Sequence, residues 1–445
     1  MNKQIYQEMT MKGFKPLSAA LVACLALSLA CDKASNKEIR IGAIQAQSGV
    51  YAPFGEGGLF GIQAAIEDIN KQGGVKVGNT RLPLKLVSGD DASDPATAAS
   101  EAEKLISSEK AQFLVSGNEP PFMHFEVSNV AERLKVPYVT DVGVYEPWLT
   151  KRMESPTQWQ FTWAIGSFAV STPVASGDSR AVRGYTIMDT FARMLETCGT
   201  KTNKKIGLLC ADDPDGNESF TNLAASLKNL GYTLVGHDQK VGLLPVNASD
   251  FSQTIQTWKE AGVEIIIGNA PAPFFAKAYK QARAMGLKPK ITIMGRAALF
   301  HDDIMALGED LPLGVSTEVW WDPSLQDAPG IGGTTPQSLT ERWSKAKSKA
   351  SSPTVATGYA SVQVLVDAIE RAGSTDPEKV NAALAQTDLK TIYHRIKFDA
   401  DHFNRVPLIL GQWMKTDKPQ KWELKVVFSD HATWPTNSSP VFPIP

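Results

Sequence analysis

At 445 residues the chain is longer than one ordinary domain, and its hydrophobic (43%) and charged (21%) fractions are those of a globular protein with a real core. A formal net charge of −2 gives no electrostatic case for nucleic acid, and none is expected as a partner. Two α/β domains are expected.

The chain opens with Lys12 and Lys15, followed by apolar or small residues from Leu17 to Cys31, after which Asp32 and Lys33 begin the polar chain. This is the pattern of a secretory signal over residues 1–31, too short for a membrane span. Small residues running into a cysteine resemble a bacterial lipoprotein processing site. Cys31 fits by position and is expected to carry the lipid, whereas Cys24 has the better local match. A plain secretory signal with incidental cysteines is the alternative. Cys198 and Cys210 are the cysteines left after the leader. In an exported protein they either pair as a disulfide or remain thiols, Cys210 as a small hydrophobe in a buried strand. Without a nearby pair of histidines they make no zinc site.

Residues 39–70 then read as a short apolar strand, a Gly-rich turn and a helix. Ile41, Ala43 and Ile44 form the strand, and Ile62, Ala65, Ile66 and Ile69 recur at helical spacing before Gly73-Gly74. A loop leaving such a strand for a helix is where open α/β sheets place ligands. It contains neither a nucleophile nor a phosphate-loop lysine. A strand at 82–87, a helix at 96–107, a strand at 113–115, a helix ending at 134 and a strand at 136–140 continue the alternation, which predicts a parallel sheet. A second series restarts near Tyr185. Its helices fall at 186–196, 219–230, 251–260 and 272–285, and its strands at 206–210, 234–238, 264–268 and 291–294. Residues 322–337 read as a long Pro/Gly-rich loop, residues 357–372 and 377–386 as helices, and 392–398, 407–414 and 422–428 as strands.

Six segments, in order, resemble the periplasmic binding proteins of ABC importers, in the leucine/isoleucine/valine-binding branch. They are Ser48-Gly49 to Gly61 with Ala64–Asn70, Asp90–Pro95, Arg133–Val139, Ala278–Gly286, Gly358-Tyr359-Ala360 and Ala368–Gly373. The resemblance covers roughly residues 39–428 and implies the type I binding fold. In that fold two Rossmann-like lobes with mostly parallel sheets are joined by a three-strand hinge and close on a ligand. It places lobe one at 38–163 plus 318–392 and lobe two at 164–317 plus 393–445, with crossings near Trp163, Thr317 and Tyr393.

The resemblance also marks ligand positions, and the chain departs from the family at several. A Ser-rich loop is replaced by Gly117-Asn118-Glu119-Pro120-Pro121-Phe122-Met123, and an Ala-Thr pair by Gly143-Val144 followed by Tyr145. The receptor for an amino-acid carboxylate is thereby dismantled, since proline also removes N–H donors. In lobe two Asp215 stands where the family has an aromatic, in Asp212-Asp213-Pro214-Asp215-Gly216, and Asn269-Ala270 follows a strand without the frequent tyrosine. Arg296 is the one obvious cation aimed at the cleft. Either it pairs with Asp212 or Asp302 at the lobe surface, or it binds a ligand carboxylate in bidentate fashion. Tyr51, Phe54, Phe122, Tyr145, Trp148, Trp159, Trp163, Trp320 and Trp321 fall on cleft-facing loops or crossings, or else fill hinge and core. The implied ligand is small, aromatic or bulky and apolar, with a carboxylate left open. The implied partner is a membrane permease, for a periplasmic monomer that meets the membrane only through a lipid anchor.

Two other roles compete with import. His124, His237, His301, His394, His402 and His431 show no metal spacing, and no Gly-x-Ser-x-Gly elbow occurs, so neither an enzyme nor a metal or cofactor is expected. An amino-acid or amide sensor of the same fold would present closure to a protein partner instead of a permease.

Overall fold

The computed structural model describes residues 38–171 and 183–445. The leader, with Cys24 and Cys31, lies outside the described residues. The first series runs β1 (Ile39–Gln45), α1 (Ala52–Lys71), β2 (Val75–Val77), β3 (Thr80–Leu82), β4 (Leu84–Asp90) and α2 (Pro95–Ser107). It continues through β5 (Phe113–Asn118), α3 (Phe125–Leu134), β6 (Tyr138–Val144), α4 (Tyr145–Glu154) and β7 (Thr162–Phe168). The second series opens with α5 (Ile187–Thr197), β8 (Lys205–Asp212), α6 (Pro214–Asn229), β9 (Thr233–Leu234) and β10 (Leu243–Pro245). Then come α7 (Ser252–Ala261), β11 (Ile265–Asn269), α8 (Ala272–Ala284), β12 (Ile291–Gly295), α9 (His301–Met305) and β13 (Val315–Val319). Three helices follow, α10 (Pro336–Lys347), α11 (Pro353–Ala372) and α12 (Pro377–Leu384). The chain ends in β14 (Asp388–Lys390), β15 (Arg395–Lys397), β16 (Phe403–Arg405), β17 (Ile409–Lys415) and β18 (Trp422–Phe428).

These strands build two principal sheets. The first has the order β16-β7-β6-β5-β1-β4 and is parallel throughout. Its central strands β5, β6 and β7 are buried along their whole length, as expected where helices cover both faces. The second has the order β10-β8-β11-β12-β13-β17-β18, with β9 also on β8. It is parallel from β10 to β13 and antiparallel at β17 and β18. The alternating α/β reading therefore describes the architecture, but the changes of sheet fall elsewhere. Trp163 lies inside β7 and Thr317 inside β13, while Tyr393 lies between β14 and β15. The chain leaves the first sheet after Phe168, leaves the second after Val319, and returns to the second between Arg405 and Ile409.

Two expected segments take a different form. Residues 322–337 are not all loop, because α10 starts at Pro336 behind a capping box in which Thr335 and Ser338 bond each other's backbone N–H groups. The stretch read as a Gly-rich turn is mostly helix, since α1 begins at Ala52 and contains Gly55, Gly57, Gly58 and Gly61. Glycine inside a helix costs about 1 kcal/mol against alanine, so space must decide. A Cβ on Gly61 would stand 2.0 Å from the Val355 carbonyl oxygen, and one on Gly358 2.0 Å from that of Gly58. The backbones of α1 and α11 touch, and no larger residue fits between them.

The paired cysteines are corrected as well: Cys198 and Cys210 are both free and buried. Cys198 caps the end of α5, just before β8, and Cys210 lies five residues past the start of β8 at Lys205. Burial pushes the Cys210 thiol up to about 12, which keeps it protonated and unreactive.

Gly358→Ala is expected to lower unfolding stability by about 1–3 kcal/mol through overpacking. Gln63→Ala, on the exposed face of α1, should stay within about 0.5 kcal/mol of the parent. Urea denaturation of the two variants side by side measures both.

Candidate functional site

In each sheet the strand order reverses beside the first strand of its series: β1 lies between β4 and β5, and β8 between β10 and β11. The crevice at the carboxyl ends beside such a point is where open α/β sheets hold ligands. Here the two crevices face each other across one narrow cleft, whose free volume is about 30 Å³. The first sheet contributes Asn118 at the end of β5, Glu119, Pro120 and Pro121 after it, Gly143 and Val144 ending β6, and Phe168 ending β7. Phe54, in the first turn of α1, completes that side. The second sheet contributes Asp215 after β8, Asn269 ending β11, Arg296 and Leu299 after β12, and Glu318 and Trp320 at the end of β13.

Arg296 organises the second side. Its guanidinium donates to Asp213 Oδ2 at 2.8 Å and reaches Asp215 Oδ2 at 3.5 Å. It pairs with neither Asp212 nor Asp302. Its backbone is left-handed (φ 63°), an unusual state for a branched-off side chain of this size, and its N–H is held by Glu318 Oε1 at 3.2 Å. Asp213 also caps α6, accepting from the Gly216 N–H at 2.7 Å. Burial pushes Asp215 up to about 7, against the pull of Arg296, and burial likewise pushes Glu318 up to about 7. Four buried polar atoms of this side have no partner among the described residues: Asp215 Oδ1, Asn269 Oδ1, Arg296 Nε and Trp320 Nε1.

The first side is shaped by buried acids. Asp141 Oδ1 accepts from the Asn118 side-chain amide and from the Gly143 N–H at 3.1 Å. The pairing register of β5–β6 and β6–β7 shifts at these residues, as at β-bulges. Gly143, at φ 61°, supplies the left-handed turn. The Asn118 N–H donates to Thr357 Oγ1 at 3.0 Å, which ties the loop to α11. Glu119 accepts from the Ala46 N–H at 2.7 Å and lies against Asp91. Burial raises Glu119 well above the ordinary carboxyl range and brings Asp91 to about 6, so the two acids share protons at neutral pH.

Of the expected site residues, Phe54, Glu119, Pro120, Gly143, Val144, Asp215, Asn269, Arg296 and Trp320 come together around this cleft. Tyr51, Phe122 and Asp213 stand just behind it: Tyr51 packs edge-on against Phe54 and Phe122, and Asp213 holds Arg296. Three others are elsewhere. Trp163 lies near the amino end of β7, five residues before Phe168 and so about 17 Å away along the strand; it stacks on His402 at 3.7 Å. Tyr145 follows Val144 and turns to the opposite side, where it stacks on Phe403 and carries Arg405 over its ring at 4.4 Å. Trp321 alternates with Trp320 and gives its Nε1–H to the Ile392 carbonyl at 2.9 Å, beside a different cavity. Phe168, Leu299 and Glu318 are cleft residues that sequence reasoning missed, while Asn118 and Pro121 were marked only as members of the loop 117–123. For Glu318 a signal existed, a carboxylate inside the otherwise apolar and hydroxyl-bearing strand Val315–Val319.

The sequence model described as "Periplasmic binding protein" matches residues 38–418. The chain belongs to the periplasmic binding protein family. The Leu/Ile/Val-binding protein of Citrobacter freundii is 23% identical over 421 residues, which cover 88% of this chain and 94% of that protein. A leucine-binding protein of Thermotoga maritima superposes with a TM-score of 0.66 at 18% identity, over 88% of this chain and 99% of that one. The solute-binding protein of an ABC transporter from Rhodopseudomonas palustris, in complex with 3,4-dihydroxybenzoic acid, gives 0.66 at 17% identity, over 88% and 97%. Family members are solute-binding proteins, not enzymes. No helix among the described residues is long and apolar enough to cross a membrane.

Arg296→Ala leaves Asp213 and Asp215 buried without their cation and is expected to cost about 3–5 kcal/mol in a urea titration. A second expectation concerns pH. Burial raises Asp141 to about 6, above its ordinary 3.8. The folded state therefore binds more protons than the unfolded one between about pH 4 and 6, and this group's contribution makes stability fall as pH rises through that window. Asp141→Asn keeps an oxygen for Asn118 and Gly143 but removes the titration. The fall in melting temperature between pH 4 and 6 should be shallower in the variant.

Proposed function

We propose that the protein is the solute-binding component of an ABC importer, trapping one small organic ligand between the carboxyl ends of its two sheets. The observation that carries this reading is the set of four unpartnered buried polar atoms, Asp215 Oδ1, Asn269 Oδ1, Arg296 Nε and Trp320 Nε1, gathered at one cleft. Buried polar groups are almost always bonded, and a ligand would supply the missing partners. Phe54, Phe168, Leu299 and Trp320 line the same space, so the body of the ligand is apolar or aromatic, as ligand pockets usually are on their walls. Phe168 stacks on Trp320 at 5.5 Å, which makes a flat wall for a ring. A leucine-binding protein and a dihydroxybenzoate complex share this fold, so it accommodates ligands with an apolar or aromatic body. The carboxylate anchor expected of Arg296 has no support, because its guanidinium is bonded to Asp213 and Asp215.

The two sheets with their helices act as lobes, and the three segments where the chain changes sheet act as the hinge. Ligand contacts from both sides draw the lobes together, and the closed form docks on a permease. The mature chain is exported, tethered by a lipid on Cys31, and works as a monomer.

Purification from native cells should bring a small molecule with the protein, released by unfolding and identified by mass spectrometry. Returned to the refolded protein at about 100 times its dissociation constant, it should stabilise by about 2.7 kcal/mol. Absence of any bound compound, with no shift from a panel of amino acids, aromatic acids, amides, amines and polyols, would sink the reading.

A further inference from the structure

The charge around the cleft is lopsided. Arg296 is the one basic side chain among the lining residues, and it is bonded to Asp213 and Asp215. Against it stand Asp215, Glu318 and Glu119 on the cleft wall and Asp213 behind them. Asp215 and Glu318 are buried, at 3% exposure each, and come from the same side of the cleft. The Asp215 oxygen that does not face Arg296 has no partner. Asn269, also 3% exposed, donates its amide N–H to Ser219 Oγ at 2.9 Å and leaves its carbonyl oxygen unpartnered. The second side thus offers acceptors that no protein donor fills. The first side adds no cation, and Pro120 and Pro121 remove two N–H donors that an anion would use.

We propose that the polar end of the ligand is an organic cation, a protonated amine or amidine, held by Asp215, Glu318 and Asn269, and that the ligand carries no carboxylate. This rests on the solute-binding reading above and specifies the ligand class. A carboxylate entering the cleft would meet three acids and an arginine already paired. An ammonium or amidinium instead donates to Asp215 Oδ1 and Asn269 Oδ1, which lack donors, and adds its charge to Glu318, whose oxygens accept only from the Arg296 N–H and the Thr317 hydroxyl. The remaining donors, Arg296 Nε and Trp320 Nε1, suit a neutral oxygen such as a carbonyl or hydroxyl on the same molecule.

Proton release is the distinguishing signature. Asp215 is faced by Arg296, Asp213, Glu218 and Tyr51, and Glu318 by Arg296 and the Thr317 hydroxyl; burial pushes both acids to about 7 in the empty cleft. A cation favours their ionised forms, so binding near pH 7 expels protons and tightens as pH rises.

The test uses the full mature chain freed of ligand by unfolding and refolding. Phenethylammonium, phenethyl alcohol, 3-phenylpropanoate and phenylalanine present one ring with four different polar ends. Calorimetry in buffers of different ionisation enthalpy measures affinity and protons released together. The cation should bind at least about tenfold more tightly than the other three, as expected for charge-assisted hydrogen bonds in a buried site, and should release protons at pH 7. Asp215→Asn and Glu318→Gln should each weaken it by about tenfold or more and reduce the proton release, with the fold checked by circular dichroism. Tighter binding of 3-phenylpropanoate or phenylalanine, or cation binding unchanged in both variants, overturns the proposal. So does a compound extracted from native protein that bears a carboxylate, although that result leaves the solute-binding function intact. A cleft that binds none of the probes and yields no extracted compound overturns both.

Discussion

The contact between α1 and α11 is the constraint on which the first side of the molecule depends. Gly61 and Gly358 let two helical backbones meet where a Cβ would collide with a backbone carbonyl oxygen, of Val355 and of Gly58 respectively. The same contact reaches the sheet, because a Cβ on Gly117, at the end of β5, would stand 3.0 Å from the Gly58 Cα and 3.3 Å from Thr357 Oγ1. Three backbone segments therefore converge with almost no side chain between them. Thr357, next to Gly358, is thereby brought to the Asn118 N–H, and the start of α1 is brought to the mouth of the cleft with Phe54 on it. Intrinsic helix preference is sacrificed over a whole turn of α1 so that the loop after β5 has a rigid backing. That loop carries Asn118 and Glu119, so the packing choice and the site are one feature.

The second side depends on electrostatics instead of close packing. A buried triad of one arginine and two aspartates gives little net stability, since the desolvation of the charges offsets most of their attraction. Apolar residues of similar volume would hold the strand ends at least as well. Asp213 helps in two ways, capping α6 and fixing Arg296, whereas Asp215 leaves Oδ1 without a donor and Glu318 buries a carboxylate to hold one backbone N–H and one hydroxyl. Groups that a stable apo protein would be better without are the expected mark of a place shaped for something else. The raised proton affinity of both acids has the same origin, because burial without a full set of donors favours the neutral form.

The fold was legible in the sequence because βα alternation is a matter of period, and period survives in a single chain. Ile62, Ala65, Ile66 and Ile69 announced α1, and the apolar runs at β8, β11 and β12 announced a second sheet. What misled was glycine. Gly55, Gly57 and Gly58 signal a turn by local preference, and only the folded neighbours explain them as close approaches: the Ala46 backbone beside Gly55, Thr354 of α11 beside Gly57 and the Gln45 side chain beside Gly58. The site was legible wherever a loop follows a strand of a parallel sheet, as with Glu119, Val144, Asp215 and Arg296. It was illegible where a position had to be assigned to one end or one side of a strand. Trp163 and Phe168 share β7, yet only the one at the carboxyl end reaches the cleft. Trp320 and Trp321 are neighbours, and alternation sends them to opposite sides. For Arg296 the residue was legible and its partners were not, since Asp213 and Asp215 meet it only when the loops after β8 and β12 are brought side by side.

On the hinge reading, closure without ligand has little to hold it. Across the mouth, Phe54 meets Phe300 edge-on at 4.6 Å, and Lys349 lies between Glu56 at 2.6 Å and Asp302 at 2.7 Å. An edge-to-face ring pair contributes about 1 kcal/mol, and ion pairs as open as this one contribute about as little. Against them stands the cost of taking Asp215, Glu318 and Glu119 out of water when the sides meet. The two contributions oppose each other, so the named contacts alone do not hold the empty cleft shut. A ligand that satisfies the acids removes the opposing cost and leaves the favourable contacts in place. Its grip on the closed form is then strengthened by what the empty cleft loses, and that difference is what a population shift requires.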